Sequence, residues 1–252
     1  MKKIYYYFSE QGFSCQDEIL NPEDSILSDD RFSYNITSVY SETDKNFSYY
    51  KCPAWSHKAK RTFIIRSPID LIFHFKFGDD GKAFINSNRL NQQSYDTIVG
   101  PTFNNPNWHL TNPNRIVMQL AAPHLLFWTN EKNIWLEQKS YSKTSLKNNF
   151  DLVGGWFNIS SWTRALSFAI NICDVKKPLV IKRGDPIYEV CFYSKNLDDR
   201  FKLIKSPPPD DLKKKMKRNI SLKDLNPKMS TQFMFGQQEK ESKCPFSFLW
   251  KN

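Results

Sequence analysis

The sequence predicts a mainly β fold, an antiparallel sandwich of jelly-roll type, and three observations carry that prediction. Apolar and polar residues alternate with a period of two in several separate segments. Pro- and Asn-rich breaks divide those segments at short intervals. The 252 residues are 40% hydrophobic and include 20 Phe, which is enough apolar material for a packed core. A chain of this size removes roughly 70% of its unfolded surface on folding. Only 8 Gly and 5 Cys leave no room for a collagen-like or disulfide-framework class.

The first fifty residues are acidic and aromatic, with Asp and Glu gathered between Asp17 and Asp30. From there to about Lys205 the pattern is β-like. Ile69, Leu71, Phe73, Phe75 and Phe77 alternate with Asp70, Ile72, His74 and Lys76. A period of two places the two sets on opposite faces of one strand. Gly78-Asp79-Asp80-Gly81 tolerates positive φ, so a hairpin into Lys82–Asn86 is expected. The alternation returns in Ile116–Leu120, Leu166–Ile170 and Ile187–Tyr193. The breaks between them are Gly100–Pro113, Lys139–Asn149 and Asp174–Pro178. Pro fixes φ and Asn bonds locally to its own backbone, so both favour turns. Gly154-Gly155, followed by Trp156, reads as a tight turn into a strand beside a bulky ring.

Ser206-Pro207-Pro208-Pro209 is a stiff hinge, because consecutive prolines prefer an extended conformation. It divides the chain into a β body, residues 1–205, and a C-terminal arm, residues 206–252. Asp210 and Asp211 followed by Lys213, Lys214, Lys215, Lys217 and Arg218 match the polarity of a helix dipole, which predicts a short basic helix. An extended tail ends in an apolar cluster that includes Phe246, Phe248 and Trp250. That cluster is expected to dock on the body or on a partner.

The net charge of +10 lies mostly in the last fifth of the chain. Residues 200–252 hold 13 of the 36 Lys and Arg but only 5 of the 26 Asp and Glu, so they account for +8. Residues 1–199 are close to neutral at +2, and a whole-chain argument for nucleic-acid binding misreads the charge.

The start of the chain, Met1-Lys2-Lys3 and the apolar run Ile4–Phe8, is cut off by Ser9 and Glu10. That run is too short for a secretory signal. No segment approaches the roughly 20 apolar residues of a membrane span. Five scattered cysteines without a CxxC pair fit reduced thiols. The expectation is an intracellular protein that does not engage membrane.

Lys51-Cys52-Pro53-Ala54-Trp55 and Thr62–Asp70, with the corner Ser67-Pro68-Ile69-Asp70, resemble a family of uncharacterised proteins encoded by tailed phages. Ala122–Phe127 resembles that family's Pro-Pro-Gly-Tyr segment without the Gly and Tyr, and Ile181–Phe192 its Gly-Thr-Pro-Ile segment. The resemblance spans residues 50–205. It implies a viral origin, in the virion or the host cytoplasm, and supplies no catalytic residues.

Catalytic patterns are sparse. The four histidines, His57, His74, His109 and His124, belong to no HxH, HxD, HxE or HExxH pattern, so no metal site is expected. GxSxG, GxxxxGK[ST] and GxGxxG are all missing, and no cofactor is expected. Gly184-Asp185-Pro186-Ile187 resembles a corner of the dUTPase-like β fold, with Asp70 as the one candidate acid, but the Gly-rich closing tail of that fold is absent. Trp108, Trp128, Trp135, Trp156 and Trp162 are candidates for an amphipathic contact surface for carbohydrate or a partner, or for core filling.

These observations favour a non-enzymatic binding or assembly protein. Its C-terminal arm, through the five cations and the Phe246, Phe248 and Trp250 cluster, contacts a protein partner or a second copy. Two other classes stay open. One is a nucleotide- or small-molecule-binding enzyme with a β-sandwich pocket. The other is a nucleic-acid binder using the basic arm, with Phe233 and Phe235 as stacking groups.

Overall fold

A computed structural model describes residues 1–8, 36–67, 71–77, 83–86, 116–141 and 149–225. Its first five-stranded sheet contains β1 (Lys2–Phe8), β6 (Val117–Trp128), β8 (Phe150–Val153), β10 (Leu166–Ile172) and β13 (Phe201–Lys205) in the order β13-β1-β6-β10-β8. The second contains β2 (Ile36–Ser38), β3 (Thr62–Arg66), β7 (Trp135–Ser140), β9 (Gly155–Asn158) and β12 (Pro186–Tyr193) in the order β2-β3-β12-β7-β9. A smaller sheet joins β4 (Leu71–Phe77), β5 (Ala83–Asn86) and β11 (Leu179–Ile181). Pairing is antiparallel except between β1 and β13. The fold is mainly β and antiparallel, as the alternation predicts.

One core joins the sheets. Ile4, Tyr6, Leu125 and Phe127 point inward from the first sheet, and Phe63, Leu136, Val190 and Phe192 from the second. Leu71, Phe73, Leu179 and Ile181 of the smaller sheet belong to the same cluster. The rings of Phe127 and Phe192 meet edge-on across the sandwich at 5.7 Å. Such edge-to-face pairs match the positive ring edge to the negative face.

Pro123 lies within β6, where an uninterrupted ladder would require its missing N–H. The registers show how the strand accommodates it. Residues 117–120 pair with β10, that ladder resumes at Leu125 opposite Leu166 after a register shift between Leu166 and Phe168, and residues 125–128 pair with β1. The proline falls in residues 121–124, the stretch of β6 that the register shift leaves out of the β10 ladder.

Four features differ from the sequence reading. Residues 39–59 are largely helical rather than β: α1 (Val39–Glu42), a 3₁₀ turn (Ser48–Lys51) and α2 (Pro53–Ala59) precede β3. Pro53 is the first residue of α2, where its absent N–H costs nothing. The apolar run at the N-terminus is β1, a strand with two neighbours. Lys139 and Ser140 belong to β7, so that break begins later than the composition suggests.

The basic helix is longer than its charge pattern implies. It is α3, Asp210–Leu225. It lies on the outer face of the first sheet, where Met216 and Leu212 pack with Leu126, Trp128 and Tyr5. Tyr5 and Trp128 stack there at 4.2 Å, and the Asn219 side-chain amide donates to Thr163 Oγ1 at 2.7 Å. Met216→Ala should cost about 2 kcal/mol. It should also speed amide exchange selectively in residues 210–225, whereas unaltered protection there would show that the contact does not hold α3. Phe246, Phe248, Trp250, Phe233 and Phe235 lie outside the described residues, as do Asp70 and Trp108. Among the described residues no helix is long and apolar enough to cross a membrane.

Tyr188 is fully buried in β12, and burial raises its phenol well above the ordinary value near 10. Tyr6 is raised for the same reason. A raised acid binds its proton more tightly in the folded state. Its contribution is therefore complete below pH 10 and is lost as pH climbs beyond the unfolded value. Denaturant midpoints should be level from pH 8 to 9 and fall steeply above 10. A flat profile through pH 11 would contradict the burial of these phenols.

Candidate functional site

Among the described residues, two clefts lie on the outer face of the second sheet. Ladder registers set which side chains share that face. Trp135 stands opposite Tyr193 and Asn158, and Glu137 opposite Cys191 and Trp156. Val190 and Phe192 face inward to the core, so Glu189, Cys191 and Tyr193 face outward.

At the β9 edge these positions form an aromatic cleft of about 600 Å³, lined by Asn133, Trp135, Trp156, Tyr193, Ser194 and Lys195. Trp156 is 57% exposed, an unusual state for so large an apolar side chain. Its ring lies 4.8 Å from that of Tyr193, tilted by 33°. The Tyr193 hydroxyl donates to Glu137 Oε2 at 2.6 Å, which fixes the ring from behind. Burial, followed by that carboxylate, pushes the phenol strongly upward, so it remains a neutral donor. Asn133 adopts φ 56°, a left-handed conformation that Asn tolerates, in the turn leading to β7. Asn133, Ser194 and Lys195 supply polar groups to the cleft, and among the described residues Lys195 is the one charged residue in its lining.

Gly154 makes this arrangement fit. It joins β8 of one sheet to β9 of the other, and a Cβ there would lie 2.2 Å from the Gln138 carbonyl oxygen. The glycine pair therefore permits close backbone approach and brings Trp156 to the edge.

The second cleft, about 290 Å³, lies under the helical segment and is lined in part by Glu42, Tyr49, Trp55, Tyr141 and Glu189. Its charges are matched internally. Arg66 grips both Glu42 oxygens at 2.7 Å, and Lys139 sits 3.2 Å from Glu189. Tyr141 is raised by burial first, then by Glu42, while Arg66 opposes the shift. This is a polar joint between the helices and the sheet, closed by the rings of Tyr49 and Trp55 in edge contact.

The Gly184–Ile187 corner is also structural. Gly184 turns with φ 84°, Ser67 exchanges backbone hydrogen bonds with Gly184 and Asp185, and the Asp185 carboxylate accepts from the Lys182 N–H at 2.9 Å. No group of three His, Cys, Asp or Glu that could hold a metal gathers among the described residues.

Lys213, Lys214, Lys215, Lys217 and Arg218 are brought together, all exposed on α3, but against the opposite sheet from the aromatic cleft. Of the tryptophans, Trp128 stacks beneath α3 and Trp162 packs edge-on to Phe157 at 5.0 Å, both as packing groups. Trp135 and Trp156 line the cleft. Sequence reading missed Tyr193, Asn133 and Lys195, which reach the site through pairing between distant strands.

No family model matches the chain, and no curated protein matches it. Among solved structures the matches include two dUTPases. The native dUTPase of EIAV is 9% identical with a TM-score of 0.30, covering 60% of this chain and 85% of its own. A mutant dUTPase from phage phi11 of S. aureus is 8% identical with a TM-score of 0.31, covering 69% and 97%. A likeness at this level assigns no residue a role.

Proposed function

We propose that this chain is a non-catalytic binding protein that receives a neutral saccharide in the aromatic cleft of its second sheet. The observation that carries this reading is the exposed Trp156 ring, held against Tyr193 beside Trp135. A stable fold gains little from leaving such a ring in water, whereas a ligand that covers it gains apolar contact. The 33° tilt between the two rings favours a puckered ring with C–H faces over a flat base, which prefers parallel stacking. Asn133, Ser194 and Lys195 offer donors and acceptors to hydroxyl groups, and a lining with a single cation suits an uncharged ligand.

Tryptophan emission should shift on titration with at least one member of a panel of neutral oligosaccharides. Trp156→Ala should weaken that binding at least tenfold with an unchanged melting midpoint, as for a central aromatic anchor. Affinity retained in the variant, or a response to nucleosides alone, would contradict this reading.

A further inference from the structure

A second surface, independent of the cleft, carries its own argument. Successive helical residues turn by about 100°, so Leu212, Met216 and Asn219 fall on one stripe of α3. All three face the body: Leu212 and Met216 pack with Leu126 and Trp128, and Asn219 bonds to Thr163. The five cations are thereby spread over roughly 200° of the outward arc. The helix is pinned, and its charge is presented rather than trailing.

Internal stability does not account for this charge. Lys213 and Lys217, and Lys214 and Arg218, are like-charged neighbours four residues apart, a spacing that repels. The cations fill the middle of a 16-residue helix rather than its last turn, where the dipole would favour them. The adjoining sheet repeats the pattern. Lys3 and Lys202 stand directly opposite each other in the β1–β13 ladder, both exposed, on the face that carries Tyr5. Directly opposed like charges also weaken a ladder. The acidic residues of α3 are three: Asp210 pairs with Lys213 at 3.2 Å, Asp211 is exposed beside it, and Asp224 falls on the outward arc in the last turn.

We infer that the outer face of α3, extended by Lys3 and Lys202, is a sequence-blind docking surface for double-stranded DNA. A polyanion relieves each of these repulsions at once. The ridge shape selects the duplex: a helix with side chains is about 10–12 Å across, and the major groove of B-DNA is about 12 Å wide. The deep, narrow groove of duplex RNA does not admit such a ridge. A membrane surface fits less well, because an interfacial helix inserts an apolar face, and here Leu212 and Met216 are spent on the sheet.

The test is fluorescence anisotropy of the full chain with a labelled duplex of about 20 base pairs across a salt series. Lys214, Lys215, Arg218, Lys3 and Lys202, all exposed, predict a log–log salt slope of about −4.5, or about a 500-fold loss between 50 and 200 mM. The combined variant Lys214→Gln, Lys215→Gln, Arg218→Gln should bind at least tenfold more weakly at 50 mM, with a slope reduced by about 3. Asp211→Asn removes a repulsive charge and should tighten binding about twofold. That gain cannot be mimicked by misfolding. A salt-independent signal, undiminished binding by the triple variant, weaker binding by Asp211→Asn, or capture by anionic vesicles without duplex binding would each overturn the inference.

Discussion

Phe192→Ala is expected to destabilise the protein by about 3–5 kcal/mol. Phe192 is fully buried and meets three other rings: Phe63 at 5.8 Å, Phe127 at 5.7 Å and Phe201 at 5.8 Å. Phe63 belongs to its own sheet, whereas Phe127 and Phe201 come from the opposite one. Truncation therefore opens a cavity at the seam of the sandwich and removes the edge-to-face contacts as well. In a domain of this size 1 kcal/mol moves the melting midpoint by about 2–4 °C, so a drop on the order of 10 °C is expected. Phe192→Leu retains much of the volume and should lose about a third as much. A melting midpoint unaffected by Phe192→Ala would mean that the two sheets do not meet here.

Gly154→Ala should be the second large effect, at about 3 kcal/mol, although the change adds only one methyl group. The added carbon would overlap the Gln138 carbonyl at 2.2 Å and lie 3.3 Å from its carbon, so backbone rather than a flexible side chain must move. Gly155→Ala is the internal control. Its Cβ would meet the Phe157 ring at 3.5 Å, an ordinary contact, and should cost under about 1 kcal/mol. Chemical denaturation of both variants separates the two cases. Equal stability would show that the glycine pair is permissive rather than required. Because Trp156 lies two residues on, Gly154→Ala should also weaken saccharide binding, whereas Trp156→Ala should weaken binding alone.

Much of the β framework is legible in the sequence because its strands have one face in the core. β4 and β10 lie where alternation marks them, and β12 occupies almost the segment read from Ile187–Tyr193. β1 escapes that signal for a physical reason. Ile4 and Tyr6 face the core while Tyr5 faces α3, so both faces are covered and the run reads as continuously apolar. α2 is hidden by its length and by Pro53, which reads as a breaker until it is recognised as the first helical residue. The far half of α3 is obscured because its inward stripe includes Asn219, a polar residue held by Thr163.

The aromatic cleft was legible only in part. Trp135 and Trp156 stand out as large rings in a chain that contains 7 Trp. Nothing local distinguishes them from Trp128 and Trp162, which are packing groups. The distinction comes from the registers that set Tyr193 opposite Trp135 and Trp156 opposite Glu137. Those pairings join residues far apart in sequence, and a single chain does not announce them.

The most direct test of the binding reading is a two-dimensional NMR spectrum of the indole N–H groups, recorded during titration with the best neutral oligosaccharide. The account predicts that the Trp135 and Trp156 signals move together and saturate, while Trp128, beneath α3, stays fixed. Movement of Trp128 alone, or no indole movement at saturating ligand, would contradict the aromatic cleft as the binding site.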